Sequence, residues 1–413
     1  MAYFGTDKGV PATEREARQM SLWRSGGFLM VNLANFLDGI CYFGMVPLLI
    51  PYLQQHLGLD DVNAGRVFSY YVGLVTLLMF PGGALCDRLG SRKALWLALL
   101  LVASGRSLLL LAADLPQMLG ALTLMATGTG IVQPSVYAAV KEYTEEAEAA
   151  SGFSWLYAIM NLGSVVWFFL SPSVRAWGGI DGVYLVLTLL TWLNLGVQLL
   201  GFRHAPLREP QSRERNKVSL QLLSWQFLAL IWVLIPVRNL VAHLTCTMPT
   251  VVQRAYPWAY PQLEYGFALN NLLLFAATPV LTHWTRHLPV PGLMMAGSLL
   301  SALSVGWLLL PPATLYLLLF VIMFSLGEAV WLSRFYEYVA RLAPEGQVGA
   351  AMSWANFPWF IAKTTAGLYS GWMLQRFVPA QGDMHPEGLW AVYGGIALLT
   401  PLGLWFMRGR RPA

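Results

Sequence analysis

Twelve stretches of this chain run for about 20 residues with few or no charges, the length a helix needs to cross a ~30 Å hydrocarbon core. They fall near residues 27–52, 64–86, 94–113, 116–139, 152–172, 181–202, 222–246, 263–282, 291–311, 314–338, 350–375 and 387–407. Of the 413 residues, 56% are apolar and 11% are Asp, Glu, Lys or Arg, against about 25% charged residues in ordinary soluble proteins. A water-soluble fold of this size has too little interior to hide so much apolar surface. Segments of about ten alternating residues, the mark of a membrane β-barrel, are absent. The expected class is an all-α membrane protein of twelve transmembrane helices. The same figures exclude a disordered chain and a nucleic-acid binder. Cys41, Cys86 and Cys246 are odd in number and lie in or beside apolar runs, so no disulfide framework is readable. The charged segment holding Lys8, Glu14, Arg15, Glu16 and Arg18 is too long for the head of a signal peptide.

Basic residues orient such a chain, because cytoplasmic loops collect Lys and Arg. An even number of spans puts both termini on one side. That side receives the basic N-terminal tail, Arg88, Arg92, Lys93, Lys141, the run from Arg203 to Lys217, Arg286, Arg341 and the C-terminal Arg408, Arg410 and Arg411. The other side receives only Arg66, Arg175, Arg254 and Arg376. Both termini are therefore expected in the cytoplasm of a cell-membrane protein. The charged stretch 203–220 divides the chain into a six-helix bundle over 1–202 and a second over 221–413. A six-plus-six arrangement suggests two repeats about an axis along the membrane normal, with a binding site near the midplane.

At the end of the second run stands Gly83-Ala84-Leu85-Cys86-Asp87-Arg88-Leu89-Gly90-Ser91-Arg92-Lys93. Glycines there allow a tight turn and close helix approach. Asp87 is placed to pair with Arg88, Arg92, Lys93 or a neighbouring helix end and so hold one gating state. The pattern G-x-x-x-D-R-x-G-x-R-K resembles the motif joining spans two and three in the major facilitator superfamily.

Further stretches narrow the resemblance. They are 35–45 with 48–53 in span one, 128–135 in span four, 157–163 in span five, and Leu326-Gly327-Glu328 in span ten with Pro344-Glu345, Gly349 and Met352-Ser353-Trp354 beyond it. In order they are similar to the proton-dependent oligopeptide transporter family. That family's first-span E-x-x-E-R motif falls here on Asn35, Phe36, Leu37, Asp38 and Gly39, so one shortened acid remains and the arginine is gone. Its fourth-span lysine is here Gln133, and its span-ten acid is Glu328. The resemblance implies that the lost groups are those serving proton coupling and the peptide carboxylate.

Charges inside hydrocarbon cost roughly 2.5–3.5 kcal/mol each on insertion scales and need a reason. Arg334 and Glu337, at i and i+3, read as a local pair, and Arg106 is equally compatible with a structural role. Asp38, Arg238, Glu328 and Lys363 balance to zero and suggest interhelical pairing; superfamily analogy turns spans one, seven and ten toward the centre, and Lys363 on span eleven reads as a charge partner. Either they fix helix register, or Asp38 or Glu328 exchanges a bridge for a proton or substrate as the halves rock. Tyr42, Gln133 and Asn161 offer further hydrogen bonds, whereas His243 is expected to be satisfied locally. No zinc-binding H-E-x-x-H, nucleophile elbow or Gly-rich phosphate loop is present, which argues against an enzyme or a cofactor. The expected function is a proton-coupled secondary transporter, acting as a monomer on a small peptide-like or other organic solute. An exporter of amphipathic drugs or lysolipids and a non-transporting sensor remain open.

Overall fold

In the computed structural model the apolar runs are helices, and among the described residues (25–144, 149–202, 225–285, 287–342 and 357–408) there is no strand. The interior stretch 203–220, Arg286 and the span-eleven approach 343–356 lie outside them. Helix α1 (Gly26–Met45) continues through a 3-10 turn into α2 (Leu49–Leu57), followed by α3 (Asp61–Leu89), α4 (Ser91–Leu111) and α5 (Leu115–Tyr143). Then come α6 (Ala149–Gly201), α7 (Trp225–Cys246), the short α8 (Met248–Ala255), α9 (Leu263–Trp284) and α10 (Val290–Ser304). The chain ends with α11 (Thr314–Leu342), α12 (Phe357–Phe377) and α13 (Pro386–Arg408).

Ten of these stretches are long and apolar enough to cross a membrane. Predicted spans five and six are both contained in α6, where Gly178 and Gly179 leave helical geometry and Gly179 takes φ +63°. Predicted span eleven is α12, which carries Lys363 and Arg376 and is not among the ten. Large apolar side chains such as Phe80, Leu111 and Trp284 are exposed on these helices, as lipid-facing residues are in an integral membrane protein.

Helix starts follow local chemistry. The Ser25 hydroxyl accepts from Phe28 N, and Asp114 caps α5 by accepting from Gln117 N at 2.9 Å. Gly90 has φ +77°, which only glycine adopts without strain, and so makes the one-residue turn between α3 and α4.

The chain divides into two compact units. Among the described residues one holds 25–58 and 70–202, the other 59–69 and 225–408. In the first, α1 packs along α6 and α4 along α5. These approaches are close because glycines remove the side chain at the crossing. A Cβ on Gly39 would stand 2.6 Å from Met160 O, and one on Gly105 would stand 2.6 Å from Met125 N. In the second unit α10 meets α11 through Gly297 and Gly327, where a Cβ on Gly327 would lie 2.6 Å from Ser301 N.

Within α7, Pro236 interrupts the ladder. Thr400 of α13 inserts there, its hydroxyl donating to Val233 O at 2.7 Å and accepting from Val237 N at 3.0 Å.

The glycine of closest approach between α3 and α5 is Gly82, not the motif's Gly83. A Cβ on Gly82 would meet Gly130 O at 2.5 Å, whereas one on Gly83 finds its nearest atom at 4.0 Å. Gly82→Ala should therefore cost about 1–3 kcal/mol through overpacking, and Gly83→Ala should be neutral. Thermal unfolding of the two variants in detergent checks the contrast.

Candidate functional site

The motif at the α3–α4 junction is built on a turn and a capped helix. Asp87, Arg88 and Lys93 are exposed and Arg92 is half-buried, its guanidinium 5.5 Å from the centre of the Trp96 ring. The start of α4 has a cap supplied by another helix. The Glu142 carboxylate, at the end of α5, accepts from Ser91 N at 3.4 Å and from the Ser91 hydroxyl. An acid at a helix N-terminus meets its unpaired N–H groups and the positive end of its dipole.

In the first unit the predicted residues Asp38 and Tyr42 lie one turn apart on α1, both half-buried. Asp38 stands in the field of Arg106 from α4. Arg106 is 4% exposed and donates to Thr191 Oγ1 on α6, which itself donates to Leu187 O at 2.8 Å. Buried Tyr71 lies in the field of Tyr42, Arg106 and Asp38, and hydrogen-bonds with Thr129. Asn35, where the family motif has its first acid, donates to Leu156 O at 2.6 Å. Gly39, where the motif has arginine, is pressed against the α6 backbone and leaves no room for a side chain. Gln133, just before Pro134 in α5, and Asn161 on α6 are both half-buried.

In the second unit Arg238 on α7, Glu328 on α11 and Lys363 on α12 come together around aromatic rings. The Arg238 guanidinium lies 4.8 Å from the centre of the Trp331 ring, 5.3 Å from Trp359 and 5.8 Å from Phe335. The Lys363 ammonium lies 4.5 Å from the Trp359 ring. Such placements favour cations, since aromatic faces are electron-rich. Glu328 is in the field of Arg238 and hydrogen-bonds with the Asn270 side chain on α9.

Next to this cluster runs a polar chain. Asn239 Nδ2 donates to Ala362 O at 3.1 Å, and the Tyr369 hydroxyl donates to Asn239 Oδ1. Tyr369 OH then accepts from His243 Nε2 at 2.7 Å, and His243 Nδ1 lies 2.8 Å from Thr247 Oγ1. The Tyr369 contact places a proton on Nε2. His243 is thus satisfied locally, as expected, and Tyr393 stacks on it at 3.7 Å.

Two further charge groups lie at the ends of helices. Arg334 pairs with Glu337 and also donates to Thr282 O at 3.0 Å and Thr285 Oγ1 at 2.7 Å, closing the end of α9. Asp61, in the first turn of α3, receives a two-pronged contact from Arg254 at 2.7 and 2.9 Å. Arg254 also donates to Val378 O at 2.9 Å. Nearby, burial and secondarily the Glu387 carboxylate push the Tyr256 hydroxyl up to about 12, so it remains neutral.

Sequence reasoning missed Arg106 as the counter-charge of Asp38, and also Glu142 and the Asp61–Arg254 pair. Hydropathy locates helices but does not say which faces meet.

Residues 31–362 match the family model of the Major Facilitator Superfamily. The chain belongs to that superfamily, whose members are transporters and not enzymes. It shares 28% identity over 150 residues with a di-/tripeptide transporter of Lactococcus lactis, covering 34% of this chain and 30% of that protein. It is 25% identical to the chloramphenicol resistance protein CraA of Acinetobacter baumannii over 79% of this chain and 82% of the other. The chain's match thus spans under a third of the Lactococcus relative. Among solved structures, the fold matches a peptide transporter POT in complex with alafosfalin, with TM-score 0.76, 18% identity and coverage of 93% and 94%. A POT family transporter in complex with 5-aminolevulinic acid gives TM-score 0.73 at 16% identity, covering 92% of this chain and 96% of that one.

Arg106 and Asp38 are expected to behave as one unit. Arg106→Gln alone removes the positive field that faces the half-buried Asp38 carboxylate and should lower the unfolding midpoint. Arg106→Gln with Asp38→Asn should be less destabilised than the single variant. A double-mutant cycle on thermal unfolding in detergent measures the coupling.

Proposed function

We propose that this protein is a secondary active transporter that works by alternating access, is coupled to protons, and moves a small organic solute of peptide-like character. The observation carrying the reading is that, besides the helix-end pairs Asp61–Arg254 and Arg334–Glu337, each compact unit of a superfamily chain holds an acid inside a span within the field of an arginine. These are Asp38 with Arg106, and Glu328 with Arg238. A carboxylate that leaves its arginine to take a proton or substrate couples occupancy to conformation, because a ligand shifts an equilibrium only through its different affinity for the two states. The peptide transporters with the same fold support the substrate class.

In this reading the chain has twelve spans, with bundles over 1–202 and 221–413 joined by the stretch 203–220, both termini in the cytoplasm, and acts as a monomer in the cell membrane. Tyr42, Gln133 and Asn161 supply hydrogen bonds to solute, and Lys363 tunes the pairing of Glu328. Gly83, Asp87, Arg88, Gly90, Arg92 and Lys93 form the cytoplasmic gate. A second reading, export of an amphipathic compound, is favoured by the long match to the chloramphenicol resistance protein. Flux of labelled solutes from both classes in proteoliposomes, with the gradient in each direction, separates the two.

Two outcomes follow. Asp38→Asn or Glu328→Gln should abolish gradient-driven accumulation while sparing solute exchange, since exchange needs only the loaded carrier to rock. Full accumulation in both variants would end carboxylate-based proton coupling. Asp87→Asn should lower flux severalfold at unchanged expression, by removing a contact made in one gating state; wild-type flux would dismiss the gate.

A further inference from the structure

Arg238 is 5% exposed, yet two of its nitrogens, Nε and Nη2, have no hydrogen-bond partner among the described residues. These two lie along one edge of the guanidinium, and their N–H bonds run parallel. That edge is the fork that binds a carboxylate with two hydrogen bonds. Glu328 is engaged with Asn270, while Lys363 brings a second positive charge to the shared Trp359 ring. Arg106 also has an Nε unpartnered among the described residues, but its Nη1 donates to Thr191 Oγ1, so it does not present a fork with both donors open.

In the first unit the positions of the family's basic residues do not supply such a fork. The position of the family's first-span arginine is Gly39, closed by the Met160 backbone, and Gln133 is neutral. We propose that Arg238, assisted by Lys363 and floored by Trp331 and Trp359, is a carboxylate-binding site in the second unit. It takes the carboxylate end of a small organic solute. The proposal rests on the transporter reading for how solute reaches a sealed edge, and it moves anion recognition to α7 and α12. The aromatic rings hold the guanidinium plane in place without consuming its donors, so the fork is pre-organised for an incoming acid. A carboxamide of the same shape presents one acceptor and no charge to that fork, and should be rejected.

The experiment uses the purified full chain and two matched pairs of probes: benzoate with benzamide, and alanyl-phenylalanine with its C-terminal amide. Each is titrated against the thermal-unfolding midpoint in detergent. At least one acid should raise the midpoint saturably while its amide does not. Arg238→Lys, which keeps the charge and loses the fork, should weaken the acid's Kd at least tenfold, and Lys363→Gln about threefold. Arg238→Met with Glu328→Gln removes the charge in balance and should stay folded with no response to acid. Equal response to acid and amide, no response to either acid, or an unchanged Kd in Arg238→Lys would overturn the site. Proteoliposome flux separates this from the transporter reading. Flux of acid and amide alike refutes the carboxylate site and leaves transport standing; acid-specific binding without flux does the reverse.

Discussion

Hydrocarbon gives a helix no reason to hide its apolar face, so association inside a bilayer depends on how closely backbones approach and on where polar groups find partners. Both conditions organise this chain. Gly39, Gly105 and Gly327 stand where a side chain would collide with the backbone of a neighbouring helix. The approaches they allow bring α1 onto α6, α4 onto α5 and α10 onto α11. With those pairs set, the few buried charges have defined neighbours. Asp38 lies in the field of Arg106, and Glu328 in that of Arg238.

The helices were largely legible in the sequence because the bilayer imposes a length and a composition that few other environments demand. Gly90 was legible too, since a one-residue turn between two long helices needs positive φ. The span count was harder to read. Predicted spans five and six share α6, broken only at Gly178 and Gly179, and α12 carries enough polar residues to fall below the apolarity of the rest. The site was half legible. Intramembrane charge singled out Asp38, Arg238, Glu328 and Lys363, but not the rings around Arg238. Trp331 and Phe335 sit one helical turn apart, a spacing equally typical of core packing.

Partnerships between helices were the least visible part. Nothing in the order of residues joins Glu142 to Ser91, or Asp61 to Arg254, because each pair is brought together by tertiary packing and not by spacing. Distance along the chain carries this information only within one helix, as for Arg334 and Glu337. Even there the sequence omitted the second duty of Arg334, closing the last turn of α9.

The hydroxyl of Thr400 set into the gap beside Pro236 has a mechanical consequence. A proline-broken helix normally bends wherever its two halves are pushed, since the missing bond leaves a soft joint. Here the joint of α7 is stitched by a side chain that belongs to α13, and its rigidity is borrowed. Any flexure of α7 at Pro236 must either strip two hydrogen bonds from Thr400 or carry α13 along with it. The two helices therefore form one lever, with Arg238 and His243 on the arm that follows the joint.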